Sequence, residues 1–212
     1  GRAAAHRLRQ IVRADMVIAI AGGSTMAEVA RAMVPSASGI MVVPARGGMG
    51  SAASTQADAV AGDLAAHMNA QCRLIHLPDG LNLSAMREML KMPSIRETVE
   101  LMRNADIVLY GIGRADAMAR RRGMESAQVE TLLRLGAVGE ALGNFFDIDG
   151  RTVYQSPSVS TELQKRRPGS RMLAVAAGAG KGQSILASVR HNPPDSLILD
   201  EGAARSILKL LQ

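Results

Sequence analysis

Lys181 lies in the run Gly178-Ala179-Gly180-Lys181-Gly182, Arg46 in Ala45-Arg46-Gly47-Gly48-Met49-Gly50, and Ser24-Thr25 directly after Gly22-Gly23. These are residue types that hold anions. A guanidinium grips a phosphate with two parallel hydrogen bonds, and an ammonium supplies a point charge. Glycines let the backbone itself come close. Gly23, Ser24 and Thr25 stand where a helix begins, and unpaired N–H groups with the positive dipole end favour an anion there. Each feature also has an ordinary explanation: a Ser/Thr cap, an exposed lysine, an arginine in a loop. Their recurrence at strand ends is what points to a site for a small phosphorylated molecule.

Two nucleotide motifs are excluded. A Walker loop needs a glycine five residues before its Gly-Lys pair and a Ser or Thr after the lysine, and those positions hold Val175 and Gly182. Gly111-Ile112-Gly113 would need a third glycine where Asp116 stands, and Glu130 falls mid-helix, so the dinucleotide fingerprint fails as well. Gln56 opens a helix and could donate to a sugar oxygen, or be a plain surface residue. Arg120-Arg121-Arg122 is by default a solvated face, unless one of the three turns inward to a second anionic group. Glu140, among small residues, could bind sugar hydroxyls, pair with an arginine or act as a base. The four histidines have no metal-ligand spacing, and no nucleophile elbow is present. No metal or cofactor is expected.

The elements that must position these groups follow from periodicity. Met16 to Ala21 is an apolar run of strand length, and Met26, Val29, Ala30 and Met33 continue at helical spacing. Further strands are expected at Ile40–Pro44, Cys72–Leu77, Asp106–Tyr110, Met172–Ala177 and Ser196–Asp200. Helices are expected at Ser54–Asn69, Ser84–Lys91, Pro93–Asn104, Ala115–Gly123, Ser126–Leu135, Gln183–Arg190 and Glu201–Leu211. Gly1 to Arg13 reads as a helix with Leu8, Ile11 and Val12 on one side. This alternation indicates βαβ units: an α/β fold with a mostly parallel sheet and helices on both faces. Gly136 to Ser158 holds both Phe residues and reads as a small β-rich excursion. In such sheets ligands sit beyond the carboxyl ends of the strands, so the Gly-rich ends after Ala21, Tyr110 and Ala177 should meet at one crevice.

Composition narrows the partner. The chain carries a net charge of +6 and is 2% aromatic with no Trp. Anionic partners are favoured, but stacking platforms for nucleic acid are absent. A single cysteine suits a reducing cytoplasm, and no apolar run reaches the roughly 18 residues of a membrane span.

The motifs Gly22-Gly23-Ser24-Thr25-Met26-Ala27, Val43 to Gly50 with Gln56, and His76-Leu77-Pro78 resemble the effector-binding domain of SorC-family bacterial transcription regulators. So do Gly111 to Arg114, Gly139 to Gly143 and Gly178 to Gly182, in the family's order and spacing. The resemblance covers nearly the whole chain, 1–212, as one effector-binding domain. It implies a Rossmann-like fold shared with glucosamine-6-phosphate deaminase and ribose-5-phosphate isomerase. The implied ligand is a phosphorylated sugar, fructose-1,6-bisphosphate if the match to the glycolytic branch of the family holds. It assigns phosphate binding to Gly23, Ser24, Thr25, Arg46 and Lys181, and the rest of the ligand to Gln56, Arg121 and Glu140. Beyond the resemblance, two anion subsites are expected, the second at Arg121, which follows a different strand and would reach the far end of an extended sugar. Ser24 stands where the glycolytic branch has Thr; the hydroxyl is kept. The resemblance further implies a homo-oligomeric repressor, dimer or tetramer, that meets operator DNA through an N-terminal helix-turn-helix domain outside this sequence. A sugar-phosphate isomerase or deaminase on the same fold is the rival reading, with Glu140 as its one candidate base.

Overall fold

The structure is a computed structural model that describes residues 1–47, 55–75, 77, 83–157, 159–160 and 167–212. Its centre is the strand Val17–Ile20 (β1), which pairs in parallel with Met41–Pro44 (β2) on one side and with Ile107–Gly111 (β4) on the other. Outside β2 lies Gln71–Cys72 (β3), and outside β4 lie Arg171–Ala176 (β9) and Ser196–Leu199 (β10). All five pairings in this six-stranded sheet are parallel, in the order β10-β9-β4-β1-β2-β3. The chain runs outward from β1 to β3 and then returns to the opposite side at β4. The junction of β1 and β4 is therefore a topological switch point, where a crevice opens beyond the strand ends.

Alternate residues of these strands face opposite ways and feed two cores. Ile18, Ile20, Val42, Leu109 and Val175 pack with Arg2–Ile11 (α1), Ser24–Arg31 (α2) and Ala57–Met68 (α3). Ala19, Val43, Val108, Tyr110 and Ala174 pack with Pro93–Arg103 (α5), Gly182–His191 (α8) and Glu201–Leu210 (α9). Strands buried on both faces read as continuous apolar runs, which is why MVVP and RMLAVA show little polar alternation. Leu83–Met89 (α4) precedes α5.

The β-rich excursion is present as a four-stranded antiparallel sheet. It comprises Gly113–Arg114 (β5), Gly139–Ala141 (β6), Asn144–Phe146 (β7) and Thr152–Gln155 (β8). Its first strand lies ahead of the expected segment, because Gly113 pairs with Glu140 and Arg114 with Gly139. The helices Ala115–Arg121 (α6) and Ser126–Arg134 (α7) cover it, with Ala119, Val129 and Leu132 in one cluster with Phe145 of the sheet.

The strand expected at Cys72–Leu77 is shorter. Only Gln71 and Cys72 pair with β2, opposite Met41 and Val42, and Arg73 adds one hydrogen bond to the Val42 carbonyl at 3.0 Å. At the edge of the sheet, burial of Ile75 and Leu77 does not require continued pairing. Glycines 48 and 50, Ser54, His76, Pro78-Asp79-Gly80, Ser158 and Lys165-Arg166 lie outside the described residues. Among the described residues, no helix is long and apolar enough to cross a membrane.

Candidate functional site

The three Gly-rich strand ends do converge. One cleft at the β1–β4 junction is lined by Gly22, Gly23, Ser24 and Thr25 after β1, by Gly111, Ile112 and Gly113 after β4, and by Lys181 after β9. Arg46 closes it from just beyond β2, Arg121 from the last turn of α6 and Arg122 from its C-cap, and Glu140 from β6. Seven of the eight residues singled out in the sequence meet here. Gln56 does not line the cleft. It precedes α3, and its backbone packs behind Gly22.

The turn after β1 needs its glycines for two separate reasons. A Cβ on Gly22 would stand 2.7 Å from the Thr55 carbonyl oxygen, so only hydrogen fits. Gly23 has φ 119° and ψ 156°, a conformation open to glycine almost alone. That twist makes Gly23 the cap residue of α2. Gly23 supplies no side-chain cap, and the head of the helix, Gly23 to Met26, lines the cleft.

Among the described residues, four cations and one carboxylate surround the cleft. Arg46 is 4% exposed, and its Nη1 lies 3.1 Å from where a Cβ on Gly143 would stand. Lys181 ends the short 3-10 turn Ala179–Lys181 and donates its Nζ to the Ile112 carbonyl at 2.9 Å. Burial pulls the Lys181 ammonium below its ordinary pKa, and the nearby Asp200 carboxylate acts in the opposite sense. Asp200 in turn caps α9 by accepting the Ala203 N–H at 2.8 Å, and it accepts the Gly178 N–H at 3.0 Å. It thereby fixes the root of the turn that carries Lys181.

The arginine run resolves into three different roles. Arg120 is exposed and pairs with Asp116 at 3.1 Å. Arg121 donates Nη2 to the Thr55 hydroxyl, and its Nη1 lies 4.0 Å from where a Cβ on Gly23 would stand. It therefore leans over the Gly23 turn, beside the α2 N-terminus, and not at a far end separate from Ser24 and Thr25. Arg122 is buried and pairs with Glu140 at 2.5 Å, with side chains only 5% and 4% exposed. Its guanidinium carbon lies 5.8 Å from the centre of the Phe145 ring. Glu140 Oε1 also accepts the Gly143 N–H at 2.6 Å. Burial pushes the Glu140 carboxyl above its ordinary pKa, against the pull of Arg46, the Gly143 N–H and Arg121.

The sequence alone leaves Arg122 as one of three alternatives and does not single out Thr55 or Asp200. A signal for Arg122 existed: Ala115, Ala119 and Arg122 recur at i, i+4 and i+7, and both alanines are buried. Asp200 stands directly before a helical pattern, which is the signature of an N-cap. Arg114, the other strand-end cation, lies outside the lining and holds Asp116 through Nε at 3.0 Å and Nη2 at 2.8 Å.

Residues 1–209 match the model of the sugar-binding domain family. The chain belongs to this family, the sugar-binding domain of SorC-type transcriptional regulators. It is 34% identical to the central glycolytic genes regulator of Priestia megaterium and 31% identical to that of Bacillus subtilis, over 99% of its own length in both cases. The chain spans 62% of the length of each of these relatives. Among solved structures, a SorC family transcriptional regulator from Enterococcus faecalis superposes with a TM-score of 0.87 at 34% identity, covering 96% of this chain and 85% of that one. The α/β architecture with its small antiparallel sheet is that of this family. The relatives and the solved structure named here are all transcriptional regulators.

Proposed function

We propose that this chain is the effector-sensing domain of a repressor of glycolytic genes and that its effector is a bisphosphorylated sugar, fructose-1,6-bisphosphate. The observation that carries this is the charge balance of the cleft among the described residues: Arg46, Arg121, Arg122 and Lys181 against Glu140, at the N-terminus of α2. Such an excess suits a ligand with more than one phosphate. Gly23, Ser24, Thr25, Arg46, Arg121 and Lys181 take the phosphates in this reading. Glu140 and Gln56 serve the sugar hydroxyls in the same reading. The names of the two glycolytic-gene regulators among the relatives support the choice of a glycolytic sugar phosphate.

In the full-length regulator, effector binding changes operator affinity by favouring one assembly state over another. The regulator is a homo-oligomer that works in the cytoplasm and meets DNA through a separate N-terminal domain. The domain is a sensor and not an enzyme. Glu140 Oε1 is held by both Arg122 and the Gly143 N–H, an arrangement that suits fixed charge better than proton abstraction.

Thermal melts test the reading. At a hundred times its Kd a ligand adds about 2.7 kcal/mol. For a chain of this size that shifts the melting temperature by roughly 5–10 °C. Fructose-1,6-bisphosphate should give that shift and fructose should not. No shift with any sugar phosphate at millimolar concentration would overturn the proposal.

A further inference from the structure

Thr55 lies between two parts of the cleft without lining it. Its backbone carbonyl accepts the Gly23 N–H at 2.8 Å, which fixes the turn at the head of α2. Its hydroxyl accepts Nη2 of Arg121, a residue 66 positions away at the end of α6, and its carbonyl lies 3.4 Å from the same nitrogen. One residue thus holds both the turn and the arginine that leans over it. The guanidinium is a planar fork, so fixing Nη2 also fixes the direction of Nη1, which faces Gly23. A long arginine side chain otherwise loses much rotamer freedom when it meets a ligand.

We infer that Thr55 is a positioning residue: its hydroxyl pre-orients Arg121 over the Gly23 turn so that the arginine meets an incoming phosphate without rearranging. This rests on the sugar-phosphate reading above. Thr55→Val tests the hydroxyl by itself: the carbonyl that supports the turn survives any side-chain change and reaches Nη2 only at 3.4 Å, while the hydroxyl that makes the short contact with Arg121 does not survive.

The test is a titration of the folded domain with fructose-1,6-bisphosphate for wild type, Thr55→Val and Thr55→Ser, each also in an Arg121→Ala background. Pre-organisation of one long side chain corresponds to about two- to tenfold in affinity. Thr55→Val should weaken binding by that factor, Thr55→Ser should restore it, and the effect should vanish once Arg121 is alanine. Equal or tighter binding by Thr55→Val, or a loss that persists without Arg121, overturns the inference. Arginine side-chain NMR of the ligand-free domain supplies a readout independent of binding. Rotation of the Arg121 guanidinium should be hindered in wild type and Thr55→Ser and free in Thr55→Val; free rotation in all three overturns the inference. If wild type shows hindered rotation yet binds no sugar phosphate, the positioning stands and the ligand assignment fails.

Discussion

Arg122→Met breaks the buried pair at the base of the cleft, and its consequences follow from the geometry. The two side chains are 5% and 4% exposed and meet at 2.5 Å. Removing one partner of such a pair leaves the other charge buried without compensation, a loss of about 3–5 kcal/mol. For a chain of this size that is a fall of roughly 6–20 °C in melting temperature. The pH dependence has a definite sign. Burial already raises the Glu140 carboxyl. Removing the guanidinium 2.5 Å away takes it further up. A carboxyl raised in the folded state contributes stability that is present in acid and lost as pH rises through the folded pKa. The deficit of Arg122→Met should therefore be smallest in acid, where Glu140 is protonated in both proteins, and widen as pH climbs through the raised pKa. Adding Glu140→Gln to Arg122→Met should recover much of the loss at neutral pH. Urea melts of the four proteins across pH form the cycle. Strict additivity, or a deficit that does not change with pH, would refute the argument.

Lys181→Met should weaken binding of fructose-1,6-bisphosphate about ten- to a hundredfold, the equivalent of one charge-assisted hydrogen bond, as read by titration calorimetry. Because a bound phosphate favours the ammonium, wild-type affinity should hold while Lys181 is charged. It should fall as pH rises through the lowered pKa, before the ordinary lysine range is reached, while Lys181→Arg should remain flat there. Gly23→Ala meets no clash, since the nearest atom is Arg121 Nη1 at 4.0 Å, but it is strained at φ 119°. It should cost about 1–3 kcal/mol in a denaturant melt; an unchanged melt would mean that the turn relaxes.

Much of this fold was legible because the physics that makes it is local. Buried parallel strands write themselves as apolar runs, and glycines mark the ends at which the chain turns toward a ligand. Ser24, Thr25, Arg46 and Lys181 were recognisable since each sits one turn beyond such a run. What escaped depends on contacts distant in sequence. Whether Arg121 faces Gly23 is decided by Thr55, 66 residues earlier. Glu140 could be base, ligand or ion-pair partner until Arg122 was found against it. Gly113–Arg114 joins the small sheet only because Glu140 and Gly139 arrive opposite. Arg114, a strand-end cation like Lys181, turns away to Asp116, and local sequence does not distinguish the two.

The most direct test of the central claim is a phosphorus NMR spectrum of fructose-1,6-bisphosphate recorded with the purified domain. A sensor that holds both phosphates should shift or broaden both resonances, leave those of added inorganic phosphate sharp at equal concentration, and yield no new signal over hours. Two unchanged sharp resonances at high protein concentration would contradict the assignment of the ligand, and the growth of a product signal would contradict the assignment of the domain as a sensor.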